Sequence, residues 1–122
     1  MNKISVKTKN KKYSIFVGEN LIGNFSSILK KEKIFLKKCL IVVDKNVPTK
    51  SISKLKKNLR KKEVYYFIFN ASEKNKNLSN INKILDKLFL NNFNRNDCLI
   101  SLGGGITGDV SGFAASIYKR GI

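Results

Sequence analysis

Residues 98–122 read CLISLGGGITGDVSGFAASIYKRGI, and this stretch decides how the chain folds. Its first part, residues 98–102, is a short and mostly apolar run that predicts a buried strand. Three consecutive glycines then predict a tight turn. The stretch after them predicts a helix with one apolar face, made of Val110, Phe113, Ala114 and Ile117. The order is therefore strand, turn, helix.

The glycine turn has the composition of a phosphate-binding turn. Gly103, Gly104 and Gly105 place no Cβ between the main chain and a ligand. The helix that follows offers unpaired N–H groups and the positive end of its dipole, which suit a pyrophosphate. With Gly108, these residues satisfy G-x-G-x-x-G, but the same pattern also occurs in purely structural turns. Both interpretations stay open on spacing alone.

Asp109 follows this turn directly. A carboxylate repels a phosphate, so Asp109 is better suited to a hydroxyl, an amide or a ribose than to the pyrophosphate itself. The structural alternative is that it lies in the first turn of the helix and complements the dipole.

Length and composition limit the class of protein. With 122 residues and 42% hydrophobic content, we expect one domain with a modest core. No run approaches the roughly 18 to 20 apolar residues of a membrane span, and residues 1–9 lack the apolar region of a signal peptide. We expect a cytoplasmic protein without a membrane partner.

The two cysteines, Cys39 and Cys98, stand at the heads of predicted strands, where we expect free, buried thiols and no disulfide. Their spacing matches no metal motif. The chain contains no histidine, the commonest ligand of a catalytic zinc. We therefore expect no metal site made from these residues alone.

The net charge of +17 raises the question of nucleic acid binding. In sequence, the basic residues fall at helix surfaces and connections rather than in one tract with interleaved aromatics. The basic residues between positions 30 and 62 include Lys30, Lys31, Lys33, Lys37, Lys38, Lys54, Lys56, Lys57, Arg60, Lys61 and Lys62. We interpret the charge mainly as solvated and compositional, with a polyanion-binding surface as the less favoured alternative. A basic face still favours an anionic substrate or cofactor.

The rest of the chain alternates between strand and helix patterns. Residues 3–8 and 13–17 predict a β-hairpin, and residues 20–31 predict a helix. The following predicted elements are a strand at 38–44, a helix opening at Val47-Pro48 with Ile52, Leu55 and Leu59 buried, a strand at 64–69, a polar connection at 70–77, and a helix with Leu78, Ile81, Ile84, Leu85, Leu88 and Phe89 on one face. This alternation predicts an α/β fold, a Rossmann-like parallel sheet with an N-terminal β-hairpin.

Three groups of polar residues follow the three predicted parallel strands. Asp44 ends the first strand, Glu73 and Lys76 follow the second, and the glycine turn with Asp109 follows the third. Because ligands bind at the carboxyl ends of strands in open parallel sheets, we expect these groups to converge on one site. Alternatively, Asp44 is a turn or helix-capping aspartate, and Glu73 and Lys76 are a solvated loop pair.

Gly103 to Ile122 reads G-G-G-x-x-G-D-x-x-G-F-x-A-x-x-x-x-R-G-I, which closely resembles the signature of 3-dehydroquinate synthase. Residues 13–21, which read Y-x-I-x-V-G-E-x-L, resemble the start of the same family. Glu73 and Lys76 are similar to its G-E-x-x-K motif, with Ser72 where glycine is usual. The resemblance implies that residues 1–122 are the NAD-binding N-terminal domain, truncated after the glycine-turn helix, without the family's helical C-terminal domain.

The resemblance also implies roles for individual residues. The implied NAD-binding residues are Asp44, Ala71, Ser72, Glu73, Lys74, Asn75, Lys76, Gly104, Gly105, Ile106, Thr107, Gly108 and Asp109. Among them, Asp44, Glu73 and Lys76 would contact adenosine and ribose, residues 104–108 the pyrophosphate, and Asp109 would lie toward the nicotinamide. Arg120 would face the anionic substrate; its alternative role is a helix-terminal arginine that interacts with the dipole.

The activity that the resemblance implies is a carbon–oxygen lyase reaction of the shikimate pathway to aromatic amino acids. It converts 3-deoxy-D-arabino-heptulosonate 7-phosphate, an anionic sugar phosphate, to 3-dehydroquinate with release of phosphate. NAD is used catalytically. A divalent metal, zinc or cobalt, is implied only for the full-length enzyme, which we expect to be a homodimer.

The family's metal ligands, one glutamate and two histidines, belong to the part that would follow Ile122. We therefore expect an incomplete synthase that catalyses nothing alone, and that is poorly soluble because Phe113 and Ile117 are exposed. The alternatives are a fragment of a polyol dehydrogenase of the same superfamily and a small basic nucleic-acid-binding protein. We do not expect nucleic acid as a partner.

Overall fold

The computed structural model describes all residues, 1–122. The elements are β1 Asn2–Lys7, β2 Lys12–Val17, α1 Phe25–Lys31, β3 Lys38–Asp44, α2 Thr49–Asn58, β4 Glu63–Phe69, α3 Leu78–Leu90, β5 Cys98–Leu102 and α4 Gly105–Ile117. Short 3-10 turns lie at Ile22–Asn24, Glu73–Asn75 and Tyr118–Arg120. The predicted α/β class with an N-terminal hairpin is confirmed. None of the helices combines the length and the apolar character that crossing a membrane requires.

The main sheet has three parallel strands in the order β4-β3-β5. Its central strand β3 is a continuous apolar run because both of its faces are covered. Every residue from Cys39 to Val43 is almost completely buried. In register, Asp44 lies beside Phe69 of β4, and Val43 lies beside Leu102 of β5. The three strands therefore end at the same edge.

Helices cover the two faces of this sheet. Alternate side chains of β3 point to opposite sides: Leu40 and Val42 pack with α3 and α4, whereas Ile41 and Val43 pack with α2. The chain leaves β3 toward α2 on one face and leaves β5 toward α4 on the other. The carboxyl ends of β3 and β5 therefore flank the topological switch point, the usual ligand position in such sheets.

The N-terminal hairpin is a separate two-stranded antiparallel sheet. One side chain of the main body, Glu32 at the end of α1, accepts hydrogen bonds from Lys3 of β1 and from Ser14 Oγ of β2, the latter at 2.7 Å. These two bonds, with that of Lys3 first, lower the pKa of the Glu32 carboxyl. Apolar residues on the hairpin remain exposed, namely Ile4, Tyr13, Ile15 and Val17.

Two predicted features differ from the structure. The helix predicted for 20–31 begins only at Phe25, because Asn20 has a positive φ of 52° and the chain between them forms a 3-10 turn. In α3, Leu78 and Phe89 are 68% and 57% exposed, so the buried face is narrower than predicted. The other predicted strands and helices lie where the pattern placed them, within one to three residues.

The core is small, since only 19 of the 122 residues are buried. Its larger part joins β3 to α3 and α4 and ends at Tyr118, which is 1% exposed. Phe113 and Ile117 of α4 are about half exposed, at 48% and 50%, as expected for the outer side of this helix. Low solubility caused by this surface stays a prediction.

Candidate functional site

The three loops that follow the parallel strands lie together at the carboxyl edge of the sheet. An ideal Cβ on Gly103, after β5, would lie 3.1 Å from the Cβ of Asp44, the last residue of β3. Lys76, after β4, reaches Asp109 of α4, with 2.9 Å between Nζ and Oδ2. The expected convergence of these loops is therefore present in the structure.

The first two glycines of the turn have different surroundings. A Cβ on Gly103 would lie 2.8 Å from Thr107 Oγ1, so the chain itself leaves no room for a side chain there. Gly104 has φ −88° and ψ −165°, a conformation open to any residue, and nothing lies within 4 Å of its ideal Cβ. No contact within the chain requires glycine at position 104, whereas close approach of a ligand to the backbone would.

The N-terminus of α4 presents backbone donors at this turn. The first hydrogen bond of the helix runs from Gly108 N to Gly104 O, at 3.0 Å. Gly104 has no side chain that could cap the amides of residues 105–107. Ideal Cβ atoms on Gly105 and Gly108 meet nothing within 4 Å, so this surface is open. Together with the helix dipole, these donors favour an anion at this surface.

Thr107 and Ile106 contribute differently from the glycines. The Thr107 side chain is fully buried beneath the turn, and its Oγ1 has no hydrogen-bond partner. Only its backbone amide is available for the predicted contact with a pyrophosphate. Ile106 is half-buried and packs against the larger core, so its side chain positions the start of α4.

Asp44 is half-buried at the end of β3, and its Oδ1 accepts a hydrogen bond from Asn46 N at 3.2 Å. This bond shows the turn role that was the alternative for Asp44. Its position beside Gly103 also places the carboxylate next to the glycine turn.

The loop after β4 is held by its own polar side chains. Ser72 has an extended backbone, and its Oγ accepts a hydrogen bond from Asn75 N at 3.2 Å, which caps the 3-10 turn Glu73–Asn75. Serine thus occupies the position where the family usually has glycine without an unusual backbone. Asn75 Nδ2 also donates to Asn70 O at 2.9 Å. The half-buried Ala71 packs against the larger core.

Glu73, Lys74 and Lys76 of this loop are exposed. Glu73 and Lys76 make no salt bridge with each other; Lys76 pairs with Asp109 instead. The hydrogen bond that Lys76 Nζ donates to Asp109, followed by the charges of Asp109 and Glu73, raises the pKa of the Lys76 ammonium. The sequence interpretation missed this pair, since the two residues lie 33 positions apart and no local pattern joins them.

A cavity of about 380 Å³ lies beside this pair. It is lined by Lys76, Asn77, Leu78, Ile81, Asp109, Val110 and Phe113. The four apolar lining residues belong to α3 and α4, and the other three are polar or charged. Such a cavity suits a flat and largely apolar group that carries a few polar atoms. The helical pattern placed Leu78 in the core, but in the structure its side chain is exposed beside this cavity.

Arg120 is not brought to the glycine turn. It lies past the other end of α4, exposed, beside a cavity of about 660 Å³ that Lys11, Arg95 and Gly112 also line. Its predicted contact with an anionic substrate stays a prediction.

Cysteine and acidic residues do not gather into a metal-binding group. No three histidine, cysteine, aspartate or glutamate side chains come together, so this chain by itself does not fit the divalent metal that the resemblance implies. Cys39 and Cys98 are free and lie side by side on β3 and β5. Burial raises the pKa of the Cys39 thiol to about 11 and raises that of Cys98 as well, so both are unreactive at neutral pH.

The sheet, with helices on both faces and an open glycine turn at its switch point, defines an α/β domain of the doubly wound class, in which this position commonly binds phosphate groups. Solved structures share this fold: 2-deoxy-scyllo-inosose synthase, in complex with carbaglucose-6-phosphate, NAD+ and Co2+, matches 99% of the chain with a TM-score of 0.85 at 21% identity. The 2-epi-5-epi-valiolone synthase of Streptomyces hygroscopicus, with NAD+ and Zn2+ bound, matches 95% with a TM-score of 0.72 at 24% identity. The chain covers 33% and 32% of those two chains.

Sequence comparison gives a narrower assignment. The family described as "3-dehydroquinate synthase N-terminal" matches residues 66–122. The 3-dehydroquinate synthase of Pelagibacter ubique is 51% identical over 98% of the chain, and that of Prochlorococcus marinus subsp. pastoris is 40% identical over 99%. The chain belongs to the 3-dehydroquinate synthase family. It spans about a third of the length of these relatives, 33% and 34%.

Proposed function

We propose that this chain is the NAD-binding part of a 3-dehydroquinate synthase, which converts 3-deoxy-D-arabino-heptulosonate 7-phosphate to 3-dehydroquinate and phosphate. The observation that carries the proposal is Gly104. It is open to solvent, at the N-terminus of α4 and at the switch point of the sheet, and nothing within the chain requires a glycine there. The names of the sequence relatives favour the cyclase over a polyol dehydrogenase.

The residues at this edge fit a dinucleotide. The backbone amides at the start of α4 would bind the pyrophosphate, and the carboxylate of Asp44 would accept hydrogen bonds from ribose hydroxyls. Glu73 and Lys76, on the loop after β4, would hold the adenosine side. When bound, NAD+ supplies a transient hydride acceptor for a substrate hydroxyl.

Asp109 and Lys76 would act as a pair at the rim of the 380 Å³ cavity. Because both side chains are exposed and their mutual attraction is weak in water, a ligand hydroxyl or amide can replace either partner at little cost. The apolar walls beneath them would exclude water from one side of the bound group. In this proposal the metal site, most substrate contacts and the dimer interface belong to the remaining length of the family's proteins.

The proposal is tested by titrating NAD+ into the isotopically labelled 122-residue chain and following backbone amides by NMR. Millimolar affinity corresponds to a binding free energy of only about 4 kcal/mol. NAD+ should therefore be titrated to about 5 mM, where such weak binding is measurable. We expect shifts concentrated at residues 104–109. In the variant Gly104→Val we expect the affinity to fall by about tenfold or more, because the side chain blocks the backbone amides.

Gly112→Val is the matched control, since it makes the same change within α4, also with nothing within 4 Å of the ideal Cβ, but away from the turn. It should leave the NAD+ shifts unchanged. Equal loss in both variants, or no response of residues 104–109 in the unaltered chain, would contradict the proposal. With NAD+ and a divalent metal supplied, we expect no dehydroquinate formation by the 122-residue chain alone.

A further inference from the structure

A third cavity, of about 390 Å³, has an unusual lining. Its residues are Ser26, Lys30, Lys57, Asn58, Arg60, Lys61 and Lys62. Five of these seven side chains are cationic, and the other two are a hydroxyl and an amide. None is acidic and none is apolar. Lys57, Arg60, Lys61 and Lys62 are neighbours in the sequence, and the fold adds Lys30 of α1 to them.

This basic cavity is separate from the glycine turn. Residues 60–62 form the turn between α2 and β4, and they directly precede the first residue of β4. Lys30 lies in the last turn of α1, which precedes β3. The cavity is therefore at the amino-terminal edge of the parallel sheet, whereas the glycine turn follows the carboxyl end of β5.

Asn58 holds the walls of the basic cavity in place. Its Nδ2 donates to Ile22 O at 3.1 Å, Gly23 O at 3.3 Å and Lys54 O at 3.0 Å. Its Oδ1 accepts a hydrogen bond from Ser26 N at 3.1 Å. These bonds join the start of α1 to the end of α2, so the backbone that carries the cations is fixed before any ligand arrives.

The positive charge in the basic cavity is not balanced by the chain. The two salt bridges of the structure are Lys3–Glu32 and Lys76–Asp109, and neither involves a residue of this cavity. The carboxyl ends of α1 and α2 supply about half a negative charge each, which offsets roughly one of the five cations. The nearby Glu63 accepts a hydrogen bond from Tyr65 and does not line the cavity. A multivalent anion would supply the missing charge.

The lining also limits the kind of anion. Proteins that bind single-stranded nucleic acids stack the bases on aromatic side chains, and this cavity has none. Lysine, arginine, hydroxyl and amide groups instead match phosphate oxygens. We propose that the basic cavity is a binding site for a small anion with several phosphate groups, of the inorganic polyphosphate type, independent of the site at the glycine turn.

The test is calorimetric titration of the 122-residue chain with inorganic tripolyphosphate at about 0.1 M salt, where the Debye length is about 10 Å. The triple variant Lys57→Gln, Arg60→Gln and Lys61→Gln removes three cations of the cavity. Its matched control, Lys7→Gln, Lys9→Gln and Lys50→Gln, removes three exposed cations elsewhere and leaves the same net charge. We expect the cavity variant to lose affinity about tenfold or more and the control to lose less than about threefold, since distant charges are partly screened.

Three results would overturn the inference. Equal losses in the two triple variants would mean that only the net charge attracts the anion. Loss of tripolyphosphate binding in Gly104→Val would place the anion at the glycine turn instead. Tighter binding of a thymidine oligonucleotide than of tripolyphosphate, through the same three residues, would identify a nucleic acid surface. Because the lysine and arginine side chains replaced in the two triple variants are all exposed, circular dichroism should show unchanged folding.

Discussion

Gly103 and Gly104 are neighbours in the turn before α4, yet they meet different physical demands. At Gly103 the demand is internal, since Thr107 and Asp44 fill the space that a Cβ would need. At Gly104 the space is empty, so the demand is external. Of these two identical neighbours, Gly103 is required by the packing of the fold, whereas Gly104 would be required by a bound ligand.

Gly103→Ala should destabilise the chain by about 1–3 kcal/mol, because its Cβ would lie 2.8 Å from the buried and β-branched Thr107. The measurement is urea unfolding followed by circular dichroism. Gly105→Ala is the control: its Cβ meets nothing within 4 Å and alanine is the better helix former. If Gly103→Ala proved as stable as the control, the packing described beneath the turn would be wrong.

At this scale the sequence predicted the polar residues near the site but not their partners. Asp44, Lys76, Asp109 and the glycines were found because each follows a predicted strand. The Lys76–Asp109 bond could not be predicted, because it depends on how far α3 and α4 are shifted along each other. The burial of the Thr107 hydroxyl was also missed, since its surroundings come from another strand end.

Among the elements, α3 and α4 are joined at their carboxyl ends by Tyr118. Its hydroxyl donates to Phe93 O at 2.6 Å and lies 3.3 Å from Leu88 O, and its ring contacts that of Phe89 with centroids 4.8 Å apart. The hydroxyl therefore satisfies the carbonyl of Phe93, which lies just after the end of α3. Burial, and then the charge of Asp97, raise the pKa of this phenol.

Tyr118→Phe should lower the free energy of unfolding by about 1–2 kcal/mol, because the buried Phe93 carbonyl loses its partner while the ring packing is kept. Thermal unfolding by differential scanning calorimetry measures the change. Tyr13→Phe, on the exposed side of the hairpin, is the control and should change stability by less than about 0.5 kcal/mol. A similar stability of the two variants would argue against the joint between α3 and α4.

Most elements were predictable because their patterns are strong. The apolar run of β3 and the spacing of Ile81, Ile84 and Leu88 in α3 leave little choice. The start of α1 was not predictable, because the left-handed backbone at Asn20 follows from its tertiary surroundings rather than from a glycine. The exposure of Leu78 and Phe89 likewise depends on where the neighbouring helix α4 ends, which the pattern of α3 does not show.

For the whole molecule, we expect the attachment of the hairpin to depend on pH. The pKa of Glu32 lies below its ordinary 4.5, so its bonds to Lys3 and Ser14 stabilise the attachment above that value. This stabilisation is lost as the pH falls through the lowered pKa of the folded state. Hydrogen exchange of the β1 and β2 amides, measured across this acid range, should therefore speed up relative to that of β3.

Glu32→Gln should loosen the hairpin at neutral pH and remove the acid dependence, whereas Glu19→Gln should do neither. Glu19 is exposed and has no side-chain hydrogen bond to the body of the protein. An unchanged acid dependence in Glu32→Gln would show that another carboxylate attaches the hairpin.

The two faces of β3 become covered at different moments of synthesis. The side chains buried on the α2 face lie between residues 36 and 59, so that face can close early on the ribosome. The opposite face needs Val110, Ala114 and Tyr118, which are translated roughly 3–10 s after residue 59. During that interval Leu40 and Val42 are exposed on the nascent chain. A chaperone that binds apolar strands would bind the chain most readily at that stage.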